Sequence, residues 1–415
     1  MTLSVVHIST SDIEGGSARS AWRIHSGLLA RGLRSRMLVG WKSSASAEVA
    51  EIAEARWLRR LDNLASRITG RIGLQYCAIP SSFGLPGHPW LADIDVIQLY
   101  NLHGGYFDLA ALPALARRAP IVWRLSDLWP VTGHCAYPGS CERWRIGCGQ
   151  CPDLATYPAI GLDFTRFLAS RKRRLYRRIA RMTIVAPSSW TESQARAAPA
   201  LAGFPVLRIP NGIDTLRFRP QDRIAARARL GIADDRPAIL FNAHIAFDNP
   251  RKGTDMLLAI LRALPEPERF CLIVAGRDSE KWRGQTPLAT YPLGYVTGEA
   301  RLADLYAACD LVALPSGVEN LPNTALEALA SGRPMIAFDI GGMRDAVRDG
   351  ESGFCVPAGD RDAFGAALTG LVRDAALRSR LAHGARALAE REFAHAIEID
   401  RFARLYAELG SRSAP

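Results

Sequence analysis

No apolar run in this chain reaches the ~18–20 residues that a membrane-spanning helix needs. The amino terminus, MTLSVVHIST, lacks a charged leading segment and a cleavage site, so no signal peptide is expected. A cytosolic location follows as an expectation, with the eight cysteines mostly reduced. No repeat recurs at a fixed short period, and the dinucleotide fingerprint G-x-G-x-x-G is absent. Acidic residues are fewer than basic ones, 41 against 52, which leaves a net charge of +11. Such a balance points to an anionic partner (nucleic acid, anionic lipid or a phosphorylated substrate) or simply to a surface rich in arginine. Nucleic acid is not expected, because neither a recognition motif nor an aromatic-basic single-strand platform accompanies the charge.

What is present reads as an α/β protein. At 415 residues, 48% hydrophobic and 22% charged, the chain can build two domains with full cores. Strand-like runs at Leu3–Ile8, Ser35–Val39, Val96–Tyr100, Ile121–Trp123 and Thr183–Ala186 alternate with helical patterns such as Ala18–Ala30. The alternation resumes at Ala238–Asn242, Phe270–Ala275, Leu311–Leu314 and Met335–Phe338, and Asp360–Leu409 reads as consecutive helices. The segment IPNGIDTLRFRP, from Ile209 to Pro220, interrupts the pattern and marks the link between domains. The expectation is two doubly wound domains, 1–209 and 210–395, facing across a cleft, with a final helix at 396–415 packing back on the first.

Three segments carry chemistry. After the apolar run Leu311–Leu314, a loop holds Glu319, Asn320 and Leu321, and a helix follows with Glu327, eight residues beyond Glu319. A strand that delivers a loop to the start of a helix is how a parallel sheet builds an anion site. The run Asn249-Pro250-Arg251-Lys252-Gly253 sits likewise between a strand and a helix, and its adjacent cations suit a diphosphate. Taken alone it reads more readily as a solvated surface turn. Gly15 and Gly16 precede the first helix and either admit a phosphate or sugar close to the backbone or form a plain turn.

Combined with Leu293-Gly294-Tyr295-Val296 and GRPMIAFDIGGMRDAV, these segments resemble the retaining glycosyltransferases of family four, which have the two-domain GT-B fold. In the first half, Asn101-Leu102-His103-Gly104-Gly105-Tyr106-Phe107 and the run from Ser126-Asp127 to His134-Cys135 resemble the branch that builds bacterial exopolysaccharides such as colanic acid. The resemblance implies a nucleoside-diphosphate sugar as donor and a glycan or polyprenyl-diphosphate-linked acceptor. Glu327 would accept from the ribose hydroxyls. Glu319 would sit beside the donor sugar, and the LGYV backbone, Tyr295 and Val296 included, would meet the base. The backbone N–H groups of Asn320 and Leu321, with Lys252 and Arg251, would hold the diphosphate without a catalytic metal. His103 and His134 would lie on the acceptor or sugar side. Retention in such enzymes needs no protein nucleophile.

Two departures from the family pattern stand out. Ser126-Asp127 replaces the usual His-Asp, and Asn242-Ala243-His244 replaces an expected Gly-x-Arg, which leaves Arg251 or His244 to supply the missing cation. They imply an altered donor or weakened catalysis, and the second reading is a catalytically quiet sugar-nucleotide-binding protein of a polysaccharide assembly complex. Separately, Cys135, Cys141, Cys148 and Cys151 form C-x5-C-x6-C-x2-C. Its C-x-x-C end suits a structural zinc, with free thiols or a disulfide pair as alternatives. Finally, Trp57–Leu74 and Arg166–Arg181 read as cationic amphipathic helices, able either to lie on anionic lipid at the inner membrane face or to cover the domain core.

Overall fold

The computed structural model describes residues 3–411. The chain folds into two compact units: one runs to Pro210 and resumes at Glu398, and the other spans Asn211–Ile397.

In the first unit the strands are β1 (Ser4–Ser11), β2 (Arg34–Trp41), β3 (Val49–Glu51), β4 (Val96–Leu99), β5 (Ile121–Arg124), β6 (Met182–Ala186) and β7 (Val206–Arg208). They form one sheet of order β3-β2-β1-β4-β5-β6-β7. Every pairing in it is parallel. The second unit contains β8 (Ala238–Asn242), β9 (Cys271–Ala275), β10 (Ala289–Pro292), β11 (Leu311–Leu314), β12 (Met335–Phe338) and β13 (Gly353–Val356). Their order is β10-β9-β8-β11-β12-β13, again parallel throughout. Numbered within its own unit, the second sheet runs 3-2-1-4-5-6, the doubly wound order, and the first runs the same way with a seventh strand added at the end. The apolar runs at β4, β5, β11 and β12 are buried along their whole length, as parallel strands covered on both faces require.

The switch of direction in each order creates a crevice at the carboxyl ends of two neighbouring strands. In the first unit these are β1 and β4, and in the second β8 and β11. The final helix, His395–Ser411, returns to the first unit: Ile399, Phe402 and Tyr406 pack among Val5, Val39 and Val122. The Tyr406 hydroxyl donates to Gln98 Oε1 at 2.7 Å in that core.

The two basic segments behave differently. Helix Thr165–Tyr176 turns Leu168, Ala169, Leu175 and Tyr176 into the core. It therefore covers the unit, and its apolar side is not available to lipid. Helix Arg56–Arg71 buries only Asp62.

Candidate functional site

The second unit assembles its site from loops after β8, β11 and β12. Lys252, on the loop after β8, and Glu319, on the loop after β11, are 67 residues apart in sequence yet meet at 2.6 Å. Ser316 Oγ also donates to Glu319 Oε1, at 3.2 Å. The backbones are tied as well, since the Gly317 N–H donates to Arg251 O at 2.9 Å. Gly253 explains the glycine of the Arg-Lys-Gly run: its φ is +70°, and a Cβ there would stand 2.0 Å from Pro315 O. Gly341, on the loop after β12, does the same from the other side, because its Cβ would lie 1.8 Å from Glu319 O. The Gly342 N–H then donates to Asn320 O at 2.8 Å. Three loops thus fix the Glu319–Leu321 backbone.

Helix Asn323–Ala330 starts directly after this loop, and no side chain of Pro322 caps its first turn. Glu327, one turn in, is buried. Its Oε2 accepts from the Tyr306 hydroxyl at 2.7 Å, and Asn242 Nδ2, at the end of β8, donates to that hydroxyl at 3.2 Å. Burial first, and then the Glu327 carboxylate, push the Tyr306 hydroxyl well above its ordinary pKa, so it remains a donor.

A third group sits at the ends of β8 and β9. The His244 and Tyr295 rings lie 4.7 Å apart, and the Arg277 guanidinium stands 5.3 Å from the Tyr295 ring centre. The Arg277 N–H donates to His244 O at 2.9 Å, and the Asp278 carboxylate accepts from the Ala246 and Phe247 N–H groups. Val296 is buried and packs in the core of the second unit. Arg251 is exposed, with Nε donating to Asn249 Oδ1 at 3.3 Å. Arg277 escaped the sequence reading, which sought the missing cation after β8 rather than β9. The signal was there: it follows the apolar run by two residues and so falls at a carboxyl edge.

In the first unit, Gly15 caps the helix Gly16–Ala30 with φ +89°, and nothing lies within 4 Å of where its Cβ would be. Ser17 Oγ lies 2.7 Å from Ser126 Oγ. His103, after β4, bonds through Nε2 to Asp127 Oδ2 at 2.8 Å, and Asp127 Oδ1 accepts from the Trp129 N–H at 2.9 Å. Loops after β1, β4 and β5 therefore converge.

His134 does not join them. It is buried, with Nδ1 3.0 Å from Pro158 O and Nε2 3.4 Å from Cys151 Sγ, and it braces the cysteine loop from inside. Burial lowers its pKa. In that loop all four cysteines are free, and the Gly133 N–H donates to Cys148 Sγ at 3.1 Å. Burial pushes the Cys135 thiol up to about 12. Among the described residues no three His, Cys, Asp or Glu side chains gather at metal-holding spacing, so the expected zinc cage is not preassembled.

Two doubly wound parallel units with loop clusters at their switch points define the GT-B class of glycosyltransferase fold. Sucrose-phosphate synthase from Thermosynechococcus elongatus superposes with a TM-score of 0.69 at 17% identity, covering 99% of this chain and all of that one. Anabaena Alr3699/HepE in complex with UDP gives 0.66 at 17%, over 98% of this chain and 100% of that one. Residues 236–374 match the family of Glycosyl transferases group 1, and the chain carries a domain of that family. Family four is consistent with this match.

The glycosyl transferase WcaC of Escherichia coli (strain K12), named for colanic acid biosynthesis, is 25% identical over 369 residues, 83% of this chain and 85% of that protein. D-inositol 3-phosphate glycosyltransferase of Stackebrandtia nassauensis is 38% identical over 193 residues, 42% of this chain and 43% of the relative. The chain thus spans less than half the length of that relative.

Proposed function

We propose that the protein is a retaining glycosyltransferase that moves a sugar from a nucleoside diphosphate to a glycan or polyprenyl-diphosphate-linked acceptor in cell-surface polysaccharide synthesis. It would work in the cytoplasm at the inner face of the plasma membrane. The observation that carries this reading is the Lys252–Glu319 pair at the β8–β11 crevice, a cation and a carboxylate held beside an uncapped helix start. Lys252, Arg251, Arg277 and the N–H groups of the Asn320–Leu321 turn supply positive potential for a diphosphate, without a metal in the role. Glu327, held by Tyr306, accepts from the ribose hydroxyls. Tyr295 and His244 offer a surface for the base. In the transfer itself the bond from the anomeric carbon to the phosphate oxygen breaks, and a bond to the acceptor oxygen forms on the same face. The acceptor proton passes to the departing phosphate, so no protein nucleophile takes part. Ser126, Asp127 and His103 serve the sugar and acceptor side.

Calorimetric titration with UDP and UDP-glucose tests this, because Glu327→Ala should weaken both. Unchanged affinity would remove the ribose role. Ser126, bonded to Ser17 where the family pattern has histidine, supports the second reading of a quiet binding protein. Donor binding with neither transfer nor slow donor hydrolysis would favour it. A structural zinc on Cys135, Cys141, Cys148 and Cys151 is proposed from the thiol donor set alone. Purified protein with no zinc and four freely titratable thiols in this loop would overturn it.

A further inference from the structure

Helix Arg56–Arg71 turns its apolar side outward. Trp57, Leu61, Leu64 and Ile68 are 64%, 44%, 54% and 51% exposed. At about 100° per residue they fall within roughly 60° of one another on the helix circumference. A surface helix of a globular unit ordinarily buries such a stripe. Here the inward side chain is Asp62, which accepts from the Ser81 N–H at 3.0 Å. Asp62 is also the helix's one acidic residue. Arg60, Arg67 and Arg71 lie within about 60° of one edge of the stripe.

The apolar surface continues beyond the helix. The Gly161 N–H donates to Gly70 O at 3.0 Å, which sets the exposed Leu162 and Phe164 beside the helix end. The result is an open strip with a guanidinium margin. That pairing of chemistries matches a bilayer surface, which offers an acyl boundary and anionic headgroups side by side. The helix also abuts the candidate site: Ser66 packs so closely on Gly105, two residues past His103, that a Cβ there would stand 2.5 Å from Ser66 Oγ.

We propose that Arg56–Arg71, extended by Leu162 and Phe164, docks the protein on an anionic bilayer and so holds the His103–Asp127 edge near headgroup level. Docking stands on the exposed strip. Its use, presenting a lipid-linked acceptor to that edge, rests on the transferase reading.

Flotation of the full chain with phosphatidylcholine vesicles, with and without phosphatidylglycerol, tests it. Binding is expected on the anionic vesicles and should weaken as salt rises. Leu61→Ser with Leu64→Ser and Ile68→Ser should cut it by about tenfold or more. Arg60→Gln with Arg67→Gln and Arg71→Gln should abolish the preference for anionic lipid. All six positions lie on the outer side of the helix, and an unchanged circular-dichroism spectrum and thermal midpoint would verify that these variants fold. Failure of the wild type to float, or equal flotation of the triple-serine variant, overturns docking. So does a dimer in light scattering that the serine variant dissolves while vesicles stay unbound, since the strip would then pair two copies. Vesicle binding without any nucleotide binding would leave docking intact and remove the transferase reading.

Discussion

Replacing Glu319 by glutamine separates two roles that the site combines. The Lys252–Glu319 pair is partly exposed, 30% and 16% of the respective side-chain surfaces, at 2.6 Å. Coulomb's law gives about 1.6 kcal/mol for that distance in a water-like dielectric and about 6 kcal/mol at an effective constant near 20. Side-chain ordering and solvent screening reduce pairs of this exposure to about 0.5–1 kcal/mol. Glutamine keeps the size and one hydrogen-bond acceptor but removes the charge. Lys252 is then released to the phosphates, and the repulsion between carboxylate and diphosphate disappears. UDP affinity is therefore expected to rise about 2–5-fold, the equivalent of that energy. UDP-glucose should gain less, or lose, because the sugar hydroxyls no longer meet a charged acceptor. The ratio of UDP-glucose to UDP affinity should fall. Calorimetry with both ligands at one low salt concentration reads this directly, and Lys252→Met should weaken both. UDP binding that stays equal or weakens in Glu319→Gln would refute the claim that this carboxylate competes with a phosphate for Lys252.

Tyr306→Phe removes the donor to buried Glu327 and leaves the carboxylate in place. A loss of about 1.5–3 kcal/mol in urea unfolding and weaker UDP binding are expected, and unchanged values in both would contradict the positioning role. Arg277→Ala should weaken UDP binding several-fold if its guanidinium faces the ligand over Tyr295, whereas a structural role alone would lower stability with affinity intact. In the first unit, burial lowers His25 from 6.5 to about 4. Its folded form takes up a proton later than its unfolded form, so stability is full above pH 6.5 and falls as pH drops toward about 4, by up to roughly 3 kcal/mol. Urea titrations across that window should show a steeper loss in the wild type than in His25→Gln, and equal slopes would refute this.

The strands that the sequence announced are the interior ones. β8, β11 and β12 fall on the apolar runs read for them, because a strand covered on both faces needs an unbroken apolar stretch. β3, β7, β10 and β13 carried no such run, and all four are sheet edges. Val-Ala-Glu and Val-Leu-Arg have one partner strand each and fully bury only their valines, so composition hardly marks them. The direction of the two basic helices was equally hidden, since amphipathicity shows that a stripe exists but not which way it faces. Leu168 and Leu175 point inward, while Leu64 and Ile68 point outward. In the site, Glu319, Glu327 and Lys252 were legible from spacing and family pattern. The bond from Tyr306 to Glu327 was not, because a tyrosine's place in the sequence does not announce that its buried hydroxyl serves a carboxylate, and Arg277 was not, because the cation had moved to the neighbouring strand end. His134 misled for the opposite reason: its place beside a motif suggested a ligand group, and only the fold shows it enclosed.

The same winding puts different chemistry at the two switch points. At β8–β11 the converging groups are ionic: Lys252 against Glu319, with Arg251 and Arg277 on adjoining loops. At β1–β4 they are hydroxyls and an imidazole: Ser17 with Ser126, and His103 on Asp127. Fixed cations favour a ligand that carries permanent negative charge, as a diphosphate does. Hydroxyls and a carboxylate-braced imidazole favour neutral hydroxyl groups, with which they exchange hydrogen bonds in either direction. Reversing that division, for example by Ser17→Lys, should burden the first edge with an anion preference and leave UDP affinity in the second unit unchanged. If Ser17→Lys instead strengthened UDP binding, the first edge would have to be counted among the phosphate's own contacts.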